Sequence, residues 1–284
     1  MIRAAFVAAI VLTSIVPSGI VLTATDARAD ERGYDLRNAE LKKPAPLVVV
    51  LHCYGCAPQQ LPPQLGIDAL AKKYGFVVAV PAGRVDSAGR PFWNATPACC
   101  DFEGAKPDDV GYVLGVIDEL VKKRIADPKR VYLVGFSNGG FLAYRLACEH
   151  ADKIAAIVSM GGGAPESCAP SSALSVLDVH GQADEVVPVG GRALGRGFPR
   201  RGGFPPADAA LARFAAADQC SRADGADDAK RGGDDAKRGI DKGRRAWRCP
   251  RNAVELWMMP GGHVASYGDG FGERVWKWLA ARHK

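Results

Sequence analysis

"RVYLVGFSNGGFLAYRLACEH", residues 130–150, joins two incompatible periodicities within a few positions. Tyr132, Leu133 and Val134 make a short apolar run that suits a buried strand. Phe141, Leu142, Tyr144 and Leu146 resume at helical spacing. Between the two, Gly135 and Gly139 flank Ser137 in the order G-x-S-x-G. A sharp strand-to-helix turn would push the Ser137 hydroxyl into the open at the end of a strand. A serine that only serves a glycine-rich turn is the plainer alternative. The choice depends on whether the rest of the chain supplies partners.

Apolar, β-branched runs of similar length recur at 46–52, 76–81, 130–135, 154–159, 174–180 and 253–259. Strands covered on both faces read this way. Helical spacing lies between several of them, most clearly at 109–124, where Val113, Leu114, Ile117, Leu120 and Val121 share one side, and again at 206–218 and 271–283. Alternating strands and helices predict an α/β fold with a mostly parallel, doubly wound sheet in a single domain.

The chain has 284 residues. Its first 29 read as a signal peptide: Arg3 precedes an apolar run broken by Pro17 and Gly19, and Ala27-Arg28-Ala29 offers small residues where a signal peptidase cuts. An uncleaved anchor is the alternative. Cleavage leaves a catalytic domain over 30–284, of a length that suits one α/β domain, with no membrane insertion expected afterwards. The formal net charge of +6 is modest. Much of the basic surplus falls in 221–248, where DDAKRG occurs at 227–232 and again at 234–239. Glycines, mixed charges and few apolar residues predict a flexible polar insert. Interleaved aspartates argue against a nucleic-acid surface. Eight cysteines in an exported chain predict disulfides. Cys220 and Cys249 bracket the insert, and Cys148 with Cys168 forms a second plausible pair. Cys53, Cys56, Cys99 and Cys100 are left without an assignment.

In a parallel α/β sheet, ligands bind beyond the carboxyl ends of the strands. Ser137 follows the third run, Asp184 the fifth in "HGQADEVVP", and His263 the last in "PGGH". Serine hydroxyl is a poor nucleophile until a histidine takes its proton, and that histidine needs a carboxylate to fix its tautomer. Of the five histidines, His52 and His150 precede the acid, His180 lies at a strand end before it, and His283 is penultimate. Asp178 competes with Asp184 but sits inside a strand pattern. The expected triad is therefore Ser137, Asp184 and His263. For the oxyanion, the backbone N–H of Asn138 is the expected first donor and that of Tyr54, in the loop after the first run, the second; Cys53 is the alternative.

These residues resemble the secreted polyhydroxybutyrate depolymerase and feruloyl esterase group of α/β-hydrolases. The resemblance covers roughly 44–282 and rests on "PLVVVLHCYG", "GFVVAVP", "FWNATPACCD", "DDVGYV", "RVYLVGFSNGGFLAYRLACE", "VLDVHGQADEVVPVGG" and "PGGH". It implies ester hydrolysis through Ser137, Asp184 and His263 with no metal or cofactor. The family usually has His-Gly where this chain has His52-Cys53, so the oxyanion loop is expected to be strained or shifted. Val264-Ala265-Ser266-Tyr267 replaces the aromatic and proline that often follow the histidine. Trp93 and Tyr267 are expected at the rim as substrate-binding aromatics, with loop core as the other reading of Trp93. Hydroxybutyrate oligomers are the favoured substrate, with feruloyl or acetyl esters of plant polysaccharide as the alternative. A serine peptidase and a non-catalytic exported binding protein of the same fold are the rival functions. The oligomeric state is not legible.

Overall fold

Ala45–Leu51 is buried at every position and forms β2, near the centre of the sheet. The computed structural model describes residues 32–193, 202–222 and 243–284. The strands are β1 (Tyr34–Arg37), β2 (Ala45–Leu51), β3 (Val77–Pro81), β4 (Arg84–Val85), β5 (Pro91–Phe92), β6 (Ala126–Phe136), β7 (Ala156–Met160), β8 (Ser175–Gly181), β9 (Ser221–Arg222), β10 (Arg244–Arg248) and β11 (Ala253–Met259). The helices are α1 (Leu61–Gln64), α2 (Ile67–Tyr74), α3 (Asp109–Lys122), α4 (Asn138–Glu149), α5 (Ala207–Ala217) and α6 (Phe271–Ala280). Among the described residues, nine strands form one sheet in the order β1-β3-β2-β6-β7-β8-β11-β10-β9. The six from β3 to β11 are parallel, and β1, β10 and β9 add antiparallel edges.

The registers explain why these strands are apolar on both sides. Val49 lies beside Leu133, Leu133 beside Ile157, Ile157 beside Val176, and Val176 beside Val254. That row belongs to the core under α3, α4 and α5, with Ile117, Leu142 and Leu211 packed there. The alternate residues Val50, Val134, Val158 and Leu177 face the opposite core, where Phe271, Trp276 and Leu279 of α6 pack. Phe76 stacks on Trp276 at 3.9 Å between ring centroids. Each such buried side chain stabilises by about 1.5–3 kcal/mol, and Leu133→Ala in the central row should cost about 2–5 kcal/mol.

Local signals set the helix ends. Asp108 caps α3 by accepting the Gly111 N–H at 2.8 Å. Gly75 ends α2 in the left-handed region and donates to the Ala71 carbonyl. The expected core strands and three helices are all present, with ends differing by a few residues. One expectation needs correction. Both ends of the expected polar insert are strands: Trp247 of β10 lies opposite Arg222 of β9, and Arg244–Arg248 pairs along Trp257–Ala253 of β11. Strands near the open end of a sheet carry charge rather than an apolar run, and no position of Arg244–Arg248 is fully buried, so "RRAWR" does not read as strand. The middle of that segment and the expected signal peptide lie outside the described residues. Among the described residues, no helix is long and apolar enough to cross a membrane.

Candidate active site

The chain leaves β2 to build β3 on one side and later returns to build β6 on the other. Such a switch opens a crevice beyond the carboxyl ends of the two strands. The turn from β6 to α4 lies there, and its glycines are needed for contact rather than flexibility. A Cβ on Gly139 would overlap the Leu51 carbonyl at the end of β2, and one on Gly135 would overlap the Gly139 carbonyl. Ser137 between them has φ 52° and ψ −115°, a conformation a non-glycine residue adopts only under local constraint. Its N–H donates to the Met160 carbonyl at 2.8 Å.

That bond ties Ser137 to the end of β7, and the next residue, Gly161, adjoins the expected acid and base. A Cβ on Gly161 would lie 3.0 Å from His263 Nδ1 and 3.2 Å from Asp184 Oδ2. His263 Nδ1 and Asp184 Oδ2 are 2.7 Å apart. The ring of Phe136, adjacent to Ser137, lies 4.9 Å from that of His263. Asp184 Oδ1 accepts the Val186 and Val187 N–H groups at 3.0 and 2.8 Å. Burial pushes the Asp184 carboxyl up, but His263, the Val187 N–H and His180 outweigh it and hold it below the usual carboxylate range. Asp184 therefore stays ionised and fixes the Nδ1–H tautomer of His263. Asp178 lies within β8, buried and bonded to Tyr144 Oη at 2.6 Å.

Asn138 is fully buried at the start of α4, and its amide grips the loop after β5. Its Oδ1 accepts the Trp93 N–H at 2.7 Å, and its Nδ2 donates to the Trp93 carbonyl at 3.0 Å. Trp93 Nε1 in turn donates to the His52 carbonyl at 3.0 Å, and the two rings lie 4.7 Å apart. The expectation that Trp93 lines the rim is corrected by this geometry. With 0% exposure and its indole N–H satisfied by backbone, Trp93 is loop core and offers no face to a substrate. His52 Nδ1 donates to the Cys53 carbonyl, and its Nε2 accepts the Gly83 N–H. Burial drives its pKa down to about 4, so His52 is a neutral scaffold for the loop.

The loop after β2 is not strained at Cys53. Gly55, two positions on, takes the positive φ of 72°, and Cys53 does not. A Cys53–Cys56 disulfide closes the turn, and the Gly55 N–H anchors it to the Pro91 carbonyl at 2.8 Å. Among the described residues, the N–H groups of Cys53 and Tyr54 have no acceptor, which leaves both available to a ligand. Tyr54 Oη donates to Asp86 Oδ2 at 2.7 Å. Burial and this bond push its phenol up to about 12. Tyr267 is half-buried against Phe271, and burial, with the Asp184 and Asp178 carboxylates, raises its phenol well above the ordinary value. The sequence reasoning missed Val186 and Val264. They are 49% and 41% exposed and lie two residues after Asp184 and directly after His263.

The remaining cysteines pair as Cys99–Cys100, Cys148–Cys168 and Cys220–Cys249, the last two as expected. Asp218 approaches Cys220 and Cys249 closely enough to suggest a metal site. Both sulfurs are in a disulfide, however, and Asp218 is held by Arg251 and Asn252, so the donor set does not fit a cation. A cleft of about 810 Å³ flanks α4 and includes no residue of the expected triad.

The sheet order and the three loops define an α/β-hydrolase. The chain belongs to the Esterase PHB depolymerase family, whose model matches residues 34–202. It is 31% identical over 189 residues to NocK of Nocardia uniformis subsp. tsuyamanensis, a match that covers 66% of this chain and 54% of that protein. It is also 31% identical over 154 residues to feruloyl esterase B of Piromyces equi, covering 51% of this chain and 27% of that one. The chain thus spans about half or less of the length of these relatives. Among solved structures, the Bacillus cereus carboxylesterase shares the fold with a TM-score of 0.58 at 16% identity, over 89% of this chain and 95% of that one.

Proposed function

We propose that this protein is an exported serine esterase that hydrolyses carboxylic esters through an acyl-enzyme. The observation that carries the reading is the hydrogen-bonded Asp184–His263 pair against Gly161, with Ser137 held at a positive φ and tied by its N–H to Met160, the residue before that glycine. In the proposed cycle, Ser137 Oγ adds to the ester carbonyl carbon as His263 Nε2 takes its proton. The developing oxyanion is met by the N–H groups of Asn138 and Tyr54, at the start of α4 where the helix dipole also favours negative charge. The bond to the alcohol then breaks, and His263 returns the proton to the leaving oxygen. Water attacks the acyl-enzyme in the same way, giving up a proton to His263, and the acid leaves as Ser137 regains its hydrogen.

Four disulfides and the leader-like first 29 residues support export, to the periplasm or beyond it. For substrate, hydroxybutyrate oligomers remain the favoured class. A planar cinnamoyl group gains from stacking on an aromatic face, and the burial of Trp93 removes the face expected to supply it. Exposed Val186 and Val264 offer the aliphatic contact that a hydroxyalkanoate chain uses. Feruloyl esters are the second reading, supported by the Piromyces relative.

Turnover of short-chain p-nitrophenyl esters tests the class. Ser137→Ala should lower kcat by about 10⁴-fold or more with the fold intact. Unchanged turnover in that variant refutes the assignment, no activity on any ester favours a binding protein, and activity on amides alone favours a peptidase. For the substrate, kcat/KM on a hydroxybutyrate trimer is compared with methyl ferulate. A ferulate preference of about tenfold, or roughly 1.4 kcal/mol in the transition state, overturns the aliphatic reading.

A further inference from the structure

A second aspartate–histidine pair adjoins the first. His180, at the end of β8, and Asp178, two residues earlier, are each 1% exposed. His180 Nδ1 is 2.9 Å from Asp178 Oδ1, and His180 Nε2 is 2.7 Å from the Val187 carbonyl. The other oxygen of Asp178 accepts the Tyr144 hydroxyl at 2.6 Å, from a residue about two turns along the helix that begins after Ser137. The Val187 N–H donates to Asp184 Oδ1 at 2.8 Å. His180 Nε2 lies 3.8 Å from Asp184 Oδ2, the oxygen that His263 Nδ1 approaches at 2.7 Å; the His263 side chain is 15% exposed and that of His180 1%.

We propose that His180 is a positioning residue: by donating from Nε2 to the Val187 carbonyl, it fixes the 184–187 turn so that Asp184 Oδ2 is aimed at His263. This rests on the reading of Ser137, Asp184 and His263 as a catalytic triad. A carbonyl oxygen only accepts, so Nε2 carries a proton. Asp178 holds the ring from its other nitrogen, and Tyr144 holds Asp178, so the ring cannot rotate without breaking buried bonds. Burial favours the neutral imidazole, but Asp178, the Val187 carbonyl and Asp184 outweigh it and lift the His180 pKa to about 9. At neutral pH both ring nitrogens therefore donate. The side chain is too buried to meet a substrate, and its effect on turnover passes through the turn.

Two double variants separate positioning from bulk stability. In Asp178→Asn with His180→Gln, the introduced asparagine oxygen still accepts from Tyr144. The introduced glutamine oxygen accepts from the asparagine amide, while its own amide donates to the Val187 carbonyl. In Asp178→Asn with His180→Met, the charges are removed in the same way but the bond to Val187 is lost. The Met form should lose about 10- to 100-fold in kcat with KM unchanged, as a small misplacement of a catalytic group does, and the Gln form should recover most of that loss. Equal kcat in the two folded doubles, or a change confined to KM, overturns the proposal.

A measurement on the unmodified protein keeps the proposal testable if either double fails to fold. His52 accepts at Nε2, His263 holds its proton at Nδ1, and His150 and His283 are not buried. The protein should thus show one slowly exchanging histidine Nε2–H in ¹⁵N-histidine NMR at pH 7. Its absence overturns the proposal. Ser137→Ala in the same ester assay is the control: retained activity there refutes the triad, whereas an inactive Ser137→Ala with equal doubles refutes only the role of His180.

Discussion

Asn138 carries the junction between the Ser137 turn and the loop after β5, and its replacement offers a sharp test of this geometry. Asn138→Ala leaves the Trp93 N–H and carbonyl without their partners, in a residue that is 0% exposed. An unsatisfied buried polar group costs about 1–3 kcal/mol, so the pair should lower stability by about 3 kcal/mol. In a domain of this size that is a fall in Tm of about 6–12 °C.

Asn138→Asp is more discriminating because it keeps the shape. One carboxylate oxygen still accepts the Trp93 N–H, but the other replaces a donor and faces the Trp93 carbonyl at the position where Nδ2 now lies, 3.0 Å away. Ionised, that oxygen is buried and repelled; protonated, it donates as the amide did. The folded-state pKa of the new carboxyl should therefore rise above its unfolded value of about 3.9. A raised folded pKa gives stability that is fully present below the unfolded pKa and lost as pH rises through the folded pKa. The variant should match the unmodified protein near pH 4 and fall behind it progressively toward pH 8. If the pKa rises by about two pH units, the deficit by pH 8 is about 2.7 kcal/mol. Calorimetric Tm for both proteins across that range is the assay. A deficit independent of pH, or a loss below about 1 kcal/mol in Asn138→Ala, refutes the claim that this amide clamps the two segments together.

Two further changes test the frame around the site. Replacing Cys220 and Cys249 by alanine opens a loop of 29 residues, and the chain-entropy relation gives a loss of about 3.6 kcal/mol; denaturant unfolding that shows under 1 kcal/mol contradicts it. Gly161→Ala would place a methyl 3.0 Å from His263 Nδ1 on a backbone with φ 56°. It should separate the Asp184–His263 pair and lower kcat by about 100-fold with little change in KM, and an unaltered kcat counts against the pairing.

The parts of the fold that could be read in the sequence are those that burial on both faces makes obvious. Val49, Leu133, Ile157 and Val176 are apolar because helices cover each side, and their runs predicted six strands and the order of the loops that carry Ser137, Asp184 and His263. β10 was missed because it lies next to the short edge strand β9, has no fully buried position and so needs no apolar row: Arg244, Arg245 and Arg248 keep it compatible with water. Trp93 could not be assigned from its identity, since an indole suits a ligand and a loop core equally well. What decides it is Asn138, 45 positions away, whose amide takes up both backbone groups of Trp93. Only the fold reveals that contact.

The loop after β2 departs from the family's usual His-Gly, and its conformation is fixed by different physics. A glycine after His52 would supply a flexible backbone that the fold must then order, at a cost in conformational entropy. Here Cys53 takes an ordinary backbone angle and Gly55 supplies the positive φ. The Cys53–Cys56 bond limits the conformations of the intervening residues, and the Gly55 contact to Pro91 sets the orientation of the loop. Because His52 is buried, neutral and bonded at both ring nitrogens, the loop is fixed at its base as well. In the proposed mechanism the N–H of Tyr54 is thereby held in place before substrate arrives, the condition under which a backbone donor stabilises a developing oxyanion without reorganising.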